Sequence, residues 1–214
     1  MGNIFSELSG NNSKNNYDWT PDLPDFRDDI YKYPKMNVSR IENSSDLRHM
    51  FKEYTGNYGS STANAIASVL DAYNLDYNYD QNSVESQTSI RNCIKKFKIA
   101  NDKKISYYKL NNFKNQLCQS LNDGFPILFG FTVYESFEKE EVAKTGKIPV
   151  PQKNERILGG ICLVIVGYNG REDTWIVRSP FTKSFGDNGY IYISAEILTK
   201  NNNISADFWS ISYE

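Results

Sequence analysis

In the stretch Gly56–Ser68, GNYGSSTANAIAS, two adjacent serines, Ser60 and Ser61, stand at the mouth of an apolar run. A hydroxyl at a helix N-terminus either caps free backbone N–H groups or, with a base beside it, attacks a carbonyl. A serine needs that base more than a cysteine does, because its hydroxyl is far less acidic than a thiol. The single histidine, His49, lies twelve positions ahead of Ser61 in the polar stretch DLRHMFKEY, where a surface imidazole is the ordinary outcome. The three cysteines, Cys93, Cys118 and Cys162, leave one unpaired and form no CxxC or Cys/His cluster. They read as buried thiols in a reducing compartment, not as zinc ligands or a disulfide framework. No glycine-rich phosphate loop or ligand cluster occurs, so no metal and no organic cofactor is expected.

The amino terminus, MGNIFSELSGNNSKNN, carries a different chemistry. Met-Gly-x-x-x-Ser places Gly2 and Ser6 as an N-myristoylation site. A single myristoyl chain gives only marginal, reversible membrane binding. No second signal is visible: the forty residues that follow are acidic rather than polybasic and hold no cysteine for a second acyl chain. A secretory signal is not expected here, and no stretch reaches the roughly 18 apolar residues of a membrane span. The expected location is therefore cytoplasmic, membrane-associated or within a virion, and not secreted.

The elements that must position Ser61 can be read from periodicity. TANAIASVLDAY, from Thr62 to Tyr73, puts Ala65, Ile66, Val69, Leu70 and Tyr73 on one helical face, with Ser60 or Ser61 as N-cap. A second helix is expected around TSIRNCIKKFK and a third around LNNFKNQLCQSLNDG, ended by Gly124. After Pro126 the texture changes to β-branched and aromatic runs: PILFGFTV, ICLVIVGY, DTWIVRSP, GYIYISAEIL and SADFWSISY. The fold class expected is α+β with two lobes. A flexible tail covers residues 1–17, a helical lobe about 46–124 and a strand-rich, antiparallel barrel-like lobe about 125–214. Net charge is −2 and no basic run suits a nucleic-acid groove, so no nucleic acid is expected as a partner.

Three separated motifs then carry a family resemblance. GSSTANAIA is similar to the Gly-Ser-Cys-Thr-Ala-Asn-Ala helix start of the papain-like cysteine peptidases. GGICLVIVGYNG resembles their Gly-Gly-His-Ala-Val strand, and WIVRSPFTKSFGDNGYIYI their Arg-Asn-Ser-Trp-Gly segment. DWTPDLPDFRD, PILFGFTVYESF and AKTGKIPVPQKNERILGG further resemble a compact microbial and viral branch, so the resemblance spans the chain from Asp18 onward. It implies a papain-like fold for residues 18–214.

The resemblance also implies four catalytic positions, and each holds another residue. Ser61 stands at the cysteine nucleophile, Ile161 at the histidine, Ser179 at the asparagine and Thr55 at the oxyanion-hole glutamine. Isoleucine accepts no proton, so a peptidase mechanism is not expected, and Ser61 has a sufficient role as a helix cap. The old groove would be bounded by Ser60, Ser61, Gly160, Ile161, Phe181 and Phe185, an apolar floor that is either open to a peptide or sealed. The expectation is a pseudoenzyme used as a binding or structural module, with a protein or peptide partner and membrane contact through Gly2. The asparagine, lysine and tyrosine bias suggests an AT-rich genome, and a myristoylated pseudoenzyme would suit a virion component of a large DNA virus that encloses a membrane. The alternative is a residual hydrolase using Ser61 with another base.

Overall fold

The computed structural model describes residues 17–30, 44–52, 58–80, 89–101, 103–181, 183–200 and 204–213. Gly2, most of the expected tail and Thr55 lie outside these residues. In chain order the elements are β1 (Ser45–Asp46), α1 (Ser61–Ala72), β2 (Tyr77–Tyr79), α2 (Ile90–Ile94), β3 (Phe97–Ile99) and β4 (Ile105–Leu110). Then follow α3 (Lys114–Asn122), β5 (Ile127–Tyr134), α4 (Glu140–Thr145), β6 (Ile157–Asn169), β7 (Thr174–Arg178), β8 (Tyr190–Ser194), α5 (Ala195–Lys200) and β9 (Ser205–Tyr213).

Helix α1 starts one residue earlier than its periodicity suggests. Ser60 is extended, with φ −136° and ψ 156°, and its hydroxyl accepts the Ala63 N–H at 3.1 Å. The cap is therefore Ser60, and Ser61 is the first helical residue, its hydroxyl free for other partners. Helix α2 is shorter than expected because Phe97 leaves it for strand β3. There Phe97 stacks on Tyr79 across the β2–β3 ladder, ring centroids 4.5 Å apart. Cross-strand aromatic pairs of this kind stabilise a short ladder by up to about 1 kcal/mol each, which outweighs another helical turn. Helix α3 ends ahead of Gly124, whose φ of +85° suits glycine.

The main sheet has seven strands, ordered β4-β9-β5-β6-β7-β8, with β1 beside β6. All its ladders are antiparallel, and the fold is α+β. Between its outer strands β4 and β8 no ladder forms among the described residues. Strand β4 lies in the range expected of the helical lobe, yet it pairs with β9 along its whole length. Tyr107 packs edge-on against Trp209 at 5.9 Å, so the first half of the chain closes the second half's sheet.

The unbroken apolar run of β6 follows from burial on both faces. Ile161, Leu163 and Ile165 enter one core with Phe129, Trp175, Phe185 and Ile191. Cys162, Val164 and Val166 enter the other, with Ala65, Ile66, Val69 and Leu70 of α1. Successive residues of one strand thus hold helix and sheet together, which fixes the distance between Ser61 and β6.

Candidate functional site

Ser61 opens α1 against the start of β6. Its hydroxyl accepts the Cys162 N–H at 3.1 Å and donates to Asp18 Oδ1 at 3.1 Å. Only 8% of the residue is exposed. Burial raises the Asp18 carboxyl above the usual carboxylate range, and the Ser61 hydroxyl bond opposes that rise. The hydroxyl is held between a main-chain donor and a carboxylate acceptor.

Asp18 belongs to a segment that lies across the head of β6. Asp18 forms a parallel bridge with Gly160, and the Trp19 N–H donates to Gly160 O at 2.9 Å. The Trp19 indole rests on Gly130 and Gly160. A Cβ on Gly130 would stand 1.8 Å from the ring and one on Gly160 would stand 2.6 Å from it. Glycine is required at these places by close approach. Tyr17 continues the segment over Gly159 and donates its hydroxyl to Glu138 Oε1 at 2.8 Å.

The remaining groove positions are brought together but turned inward. Ile161 is 2% exposed and packs in the core that includes Phe185, with Phe181 half-buried above. Phe181 and Phe185 meet edge to face at 4.9 Å. Ser179 is buried and its hydroxyl accepts the Phe181 N–H at 3.1 Å, serving the local turn. Ser60 and Gly160 are buried as well. Gly160 also lines a cleft of about 400 Å³ beside Tyr17, Asp18 and Trp19.

Nucleophilic and basic groups elsewhere do not converge here. His49 is exposed on a short 3-10 helix, Arg48–Met50. All three thiols are buried, and burial pushes them up: Cys93 to about 12, Cys118 to about 11, and Cys162 well above its ordinary value. A raised thiol is a poor nucleophile at neutral pH. Among the described residues no group of three His, Cys, Asp or Glu side chains could hold a metal, and no helix is long and apolar enough to cross a membrane.

The segment is latched further along by charged groups. The Asp22 N–H donates to Asp207 Oδ2 at 2.5 Å, and Asp22 also accepts from Ser89 and from the Arg91 N–H. Arg91 Nη1 holds both oxygens of Asp28, at 2.9 and 3.0 Å, and its Nη2 donates to Leu23 O at 2.9 Å. Lys109 Nζ stands 3.7 Å from both Asp28 and Asp207. Asp207 sits at φ +54° beside an irregularity in the β5–β9 ladder, a left-handed backbone that a regular strand avoids. Burial raises its carboxyl to about 6, with the Asp22 N–H and Lys109 opposing.

Sequence reasoning missed Asp18, Trp19 and Asp207 as parts of this site. A signal for the first two was present: a tryptophan beside an aspartate in a stretch without periodicity needs a buried partner, and the glycines at 130, 159 and 160 offer a surface for it.

Comparison with known proteins gives the architecture its family. The pattern of the papain family cysteine proteases matches residues 44–208. An uncharacterised peptidase C1-like protein of Acanthamoeba polyphaga mimivirus is 38% identical over 93 residues, which are 44% of this chain and 30% of that protein. The chain thus spans about a third of the length of that relative. Among solved structures, xylellain, a cysteine protease from Xylella fastidiosa, superimposes with a TM-score of 0.70 at 24% identity, covering 92% of this chain and 95% of its own. Procathepsin B from Trypanosoma congolense does so with a TM-score of 0.59 at 15% identity, over 92% and 86%. These two likenesses establish the fold. With the family's pattern running from ahead of α1 into β9, the chain belongs to the papain family of cysteine proteases.

Proposed function

We propose that this chain is a papain-family domain without peptidase chemistry, used as a binding or structural module. One observation carries the reading. The only hydroxyl at the expected nucleophile position is taken up by Asp18 and the Cys162 N–H, and the residue at the expected histidine position is a buried isoleucine. Thiolate chemistry needs a cysteine and an imidazole in contact, and neither is supplied there. The chain's own Tyr17–Trp19 lies over Ser61 and the glycines at the head of β6, which favours function through outer surfaces over peptide capture there. Gly2 is the lipid-anchor site in this reading. A viral relative is compatible with a role as a virion component, as is the asparagine- and lysine-rich composition.

The test is turnover of fluorogenic peptides and esters by the purified chain and by Ser61→Ala. Indistinguishable rates, both at the no-protein background, support the module; a rate that falls with Ser61→Ala ends it.

A second reading has its own observation. Asp18 accepts the Ser61 proton bond directly, so a carboxylate could serve as a base for serine attack. In this residual hydrolase both Ser61→Ala and Asp18→Asn would remove activity. The buried position of Ser61 beneath the Asp18 segment weighs against it.

A further inference from the structure

The segment that covers the cleft turns outward after Pro21, and its outer face is apolar where no described residue covers it. Leu23 is 81% exposed, Phe26 98% and Ile30 62%. These side chains are not on a frayed end. The Asp28 N–H donates to Asp25 O at 3.1 Å, closing a turn with Phe26 near its tip. Asp25 accepts the Arg27 N–H and is clamped by the Arg27 guanidinium. Behind the turn Arg91 grips Asp28 and Leu23 O, so the tip is built and braced. The Arg27 guanidinium stands over the Phe26 ring at 5.9 Å, and the ring is nonetheless 98% exposed.

The surroundings indicate what covers it. Between the turn and the outer edge of β4 lies a cleft of about 350 Å³, lined by Arg27, Arg91, Lys95 and Tyr107 among others. Of its acidic groups, Asp25 is paired with Arg27 and Asp28 with Arg91 and Lys109, while Asp29 is exposed and makes no ion pair among the described residues. Lys95 and, at the start of β4, Lys103 and Lys104 are exposed. The stretch Lys95–Lys104 holds five lysines in ten residues; Lys95 lines the cleft, as does Ile105, the neighbour of Lys104. Protruding aromatic and aliphatic side chains with exposed lysines near them fit an anionic lipid surface, where the apolar tips enter the acyl boundary and the lysines meet headgroups. The fifteen Cα–Cα links from Gly2 to Tyr17 reach at most about 50 Å, enough for an acyl chain on Gly2 to enter the same bilayer.

We propose that Leu23, Phe26 and Ile30, with the neighbouring Lys95–Lys104 lysines, form a docking face for anionic membrane, the second contact that a single myristoyl chain needs. The inference rests on the module reading above but not on acylation itself, since the face is present in the unmodified chain.

The experiment is co-sedimentation of the full chain, produced with and without a co-expressed N-myristoyltransferase, on vesicles of phosphatidylcholine alone and of phosphatidylcholine with phosphatidylserine at three to one. The unmodified chain should bind the mixed vesicles and lose affinity as salt rises. Phe26→Asp should weaken binding about tenfold or more, and Lys103→Glu with Lys104→Glu several-fold. Both changes are at exposed positions, so an unaltered thermal midpoint verifies folding. Mixed-vesicle binding that Phe26→Asp leaves unchanged overturns the face, even where acylation increases it. Absence of vesicle binding by both forms overturns it too, as does a Phe26-dependent complex with a protein in place of lipid. Phe26-dependent vesicle binding with no acyl group on the native chain supports the face and removes the anchor at Gly2.

Discussion

At Ser61 and Ser60 two neighbouring hydroxyls of the same type do different work, and substitution separates them. Ser60 satisfies the Ala63 N–H, so Ser60→Ala should lower stability by about 1 kcal/mol in urea denaturation. Ser61→Ala leaves the Cys162 N–H and the Asp18 carboxylate each short of a partner. A buried group left unsatisfied costs about 1–3 kcal/mol, so Ser61→Ala should destabilise at least as much as Ser60→Ala. A negligible cost for Ser61→Ala would mean that water replaces the hydroxyl and that the Asp18 contact is incidental. The sequence located both serines at the helix start but not which of them caps, because the choice depends on Asp18, forty-three residues away in the chain. The motifs by themselves drew attention to Thr55, Ser61, Ile161 and Ser179 as positions where the resemblance implies other residues. The burial of Ser61 against Asp18 was not legible, since Asp18 lies in a stretch with no periodic pattern to announce where it lies.

On the scale of elements, the covering segment is held by one large apolar contact and one charged latch, and each can be tested by itself. Trp19 is buried against Gly130, Gly160 and the α1 core. Trp19→Ala should cost about 3–5 kcal/mol and expose the Ser61 end of α1 to proteolysis or solvent exchange. Unchanged exchange at Ser61–Ala63 would mean that the segment is not what covers the helix start. The latch carries a pH signature. Asp207 has its folded pKa raised to about 6 from an ordinary 3.8, so the native state binds the proton more tightly than the unfolded chain does. Its contribution is most favourable below about 4 and is lost as pH rises through about 6. Asp207→Asn, which mimics the protonated acid, should therefore be more stable than the parent at pH 7.5, by about 2 kcal/mol, with the gap closing toward pH 4. A constant gap across that range would show that Asp207 does not titrate in the window. Periodicity and turn residues placed most helices and strands of the sheet correctly, because each is amphipathic or doubly buried over its own length. The role of β4 was not legible: ISYYKL reads as an isolated strand, and only pairing with β9 at the far end of the chain makes it part of the main sheet.

For the whole molecule, a sheet shared between both halves of the chain and a segment laid over the helix start from the amino-terminal side make the exterior the working surface of the module we propose. In an active peptidase of this architecture the interface between helix and sheet must admit substrate. Here β6 packs between two cores, and Trp19 lies on Gly130 and on Gly160 at its head. A module of the kind we propose acts by where it is placed, which makes the state of Gly2 decisive. The intact mass of the chain isolated from its native source reads both where the chain begins and what it carries. Loss of Met1 with the gain of one myristoyl group is the expected result, and that form should partition to membranes only while Phe26 is intact, because one acyl chain alone binds marginally. A mass that corresponds to an unmodified amino terminus would remove the anchor, and the same native preparation floated with liposomes would then show whether the Leu23–Ile30 face suffices by itself.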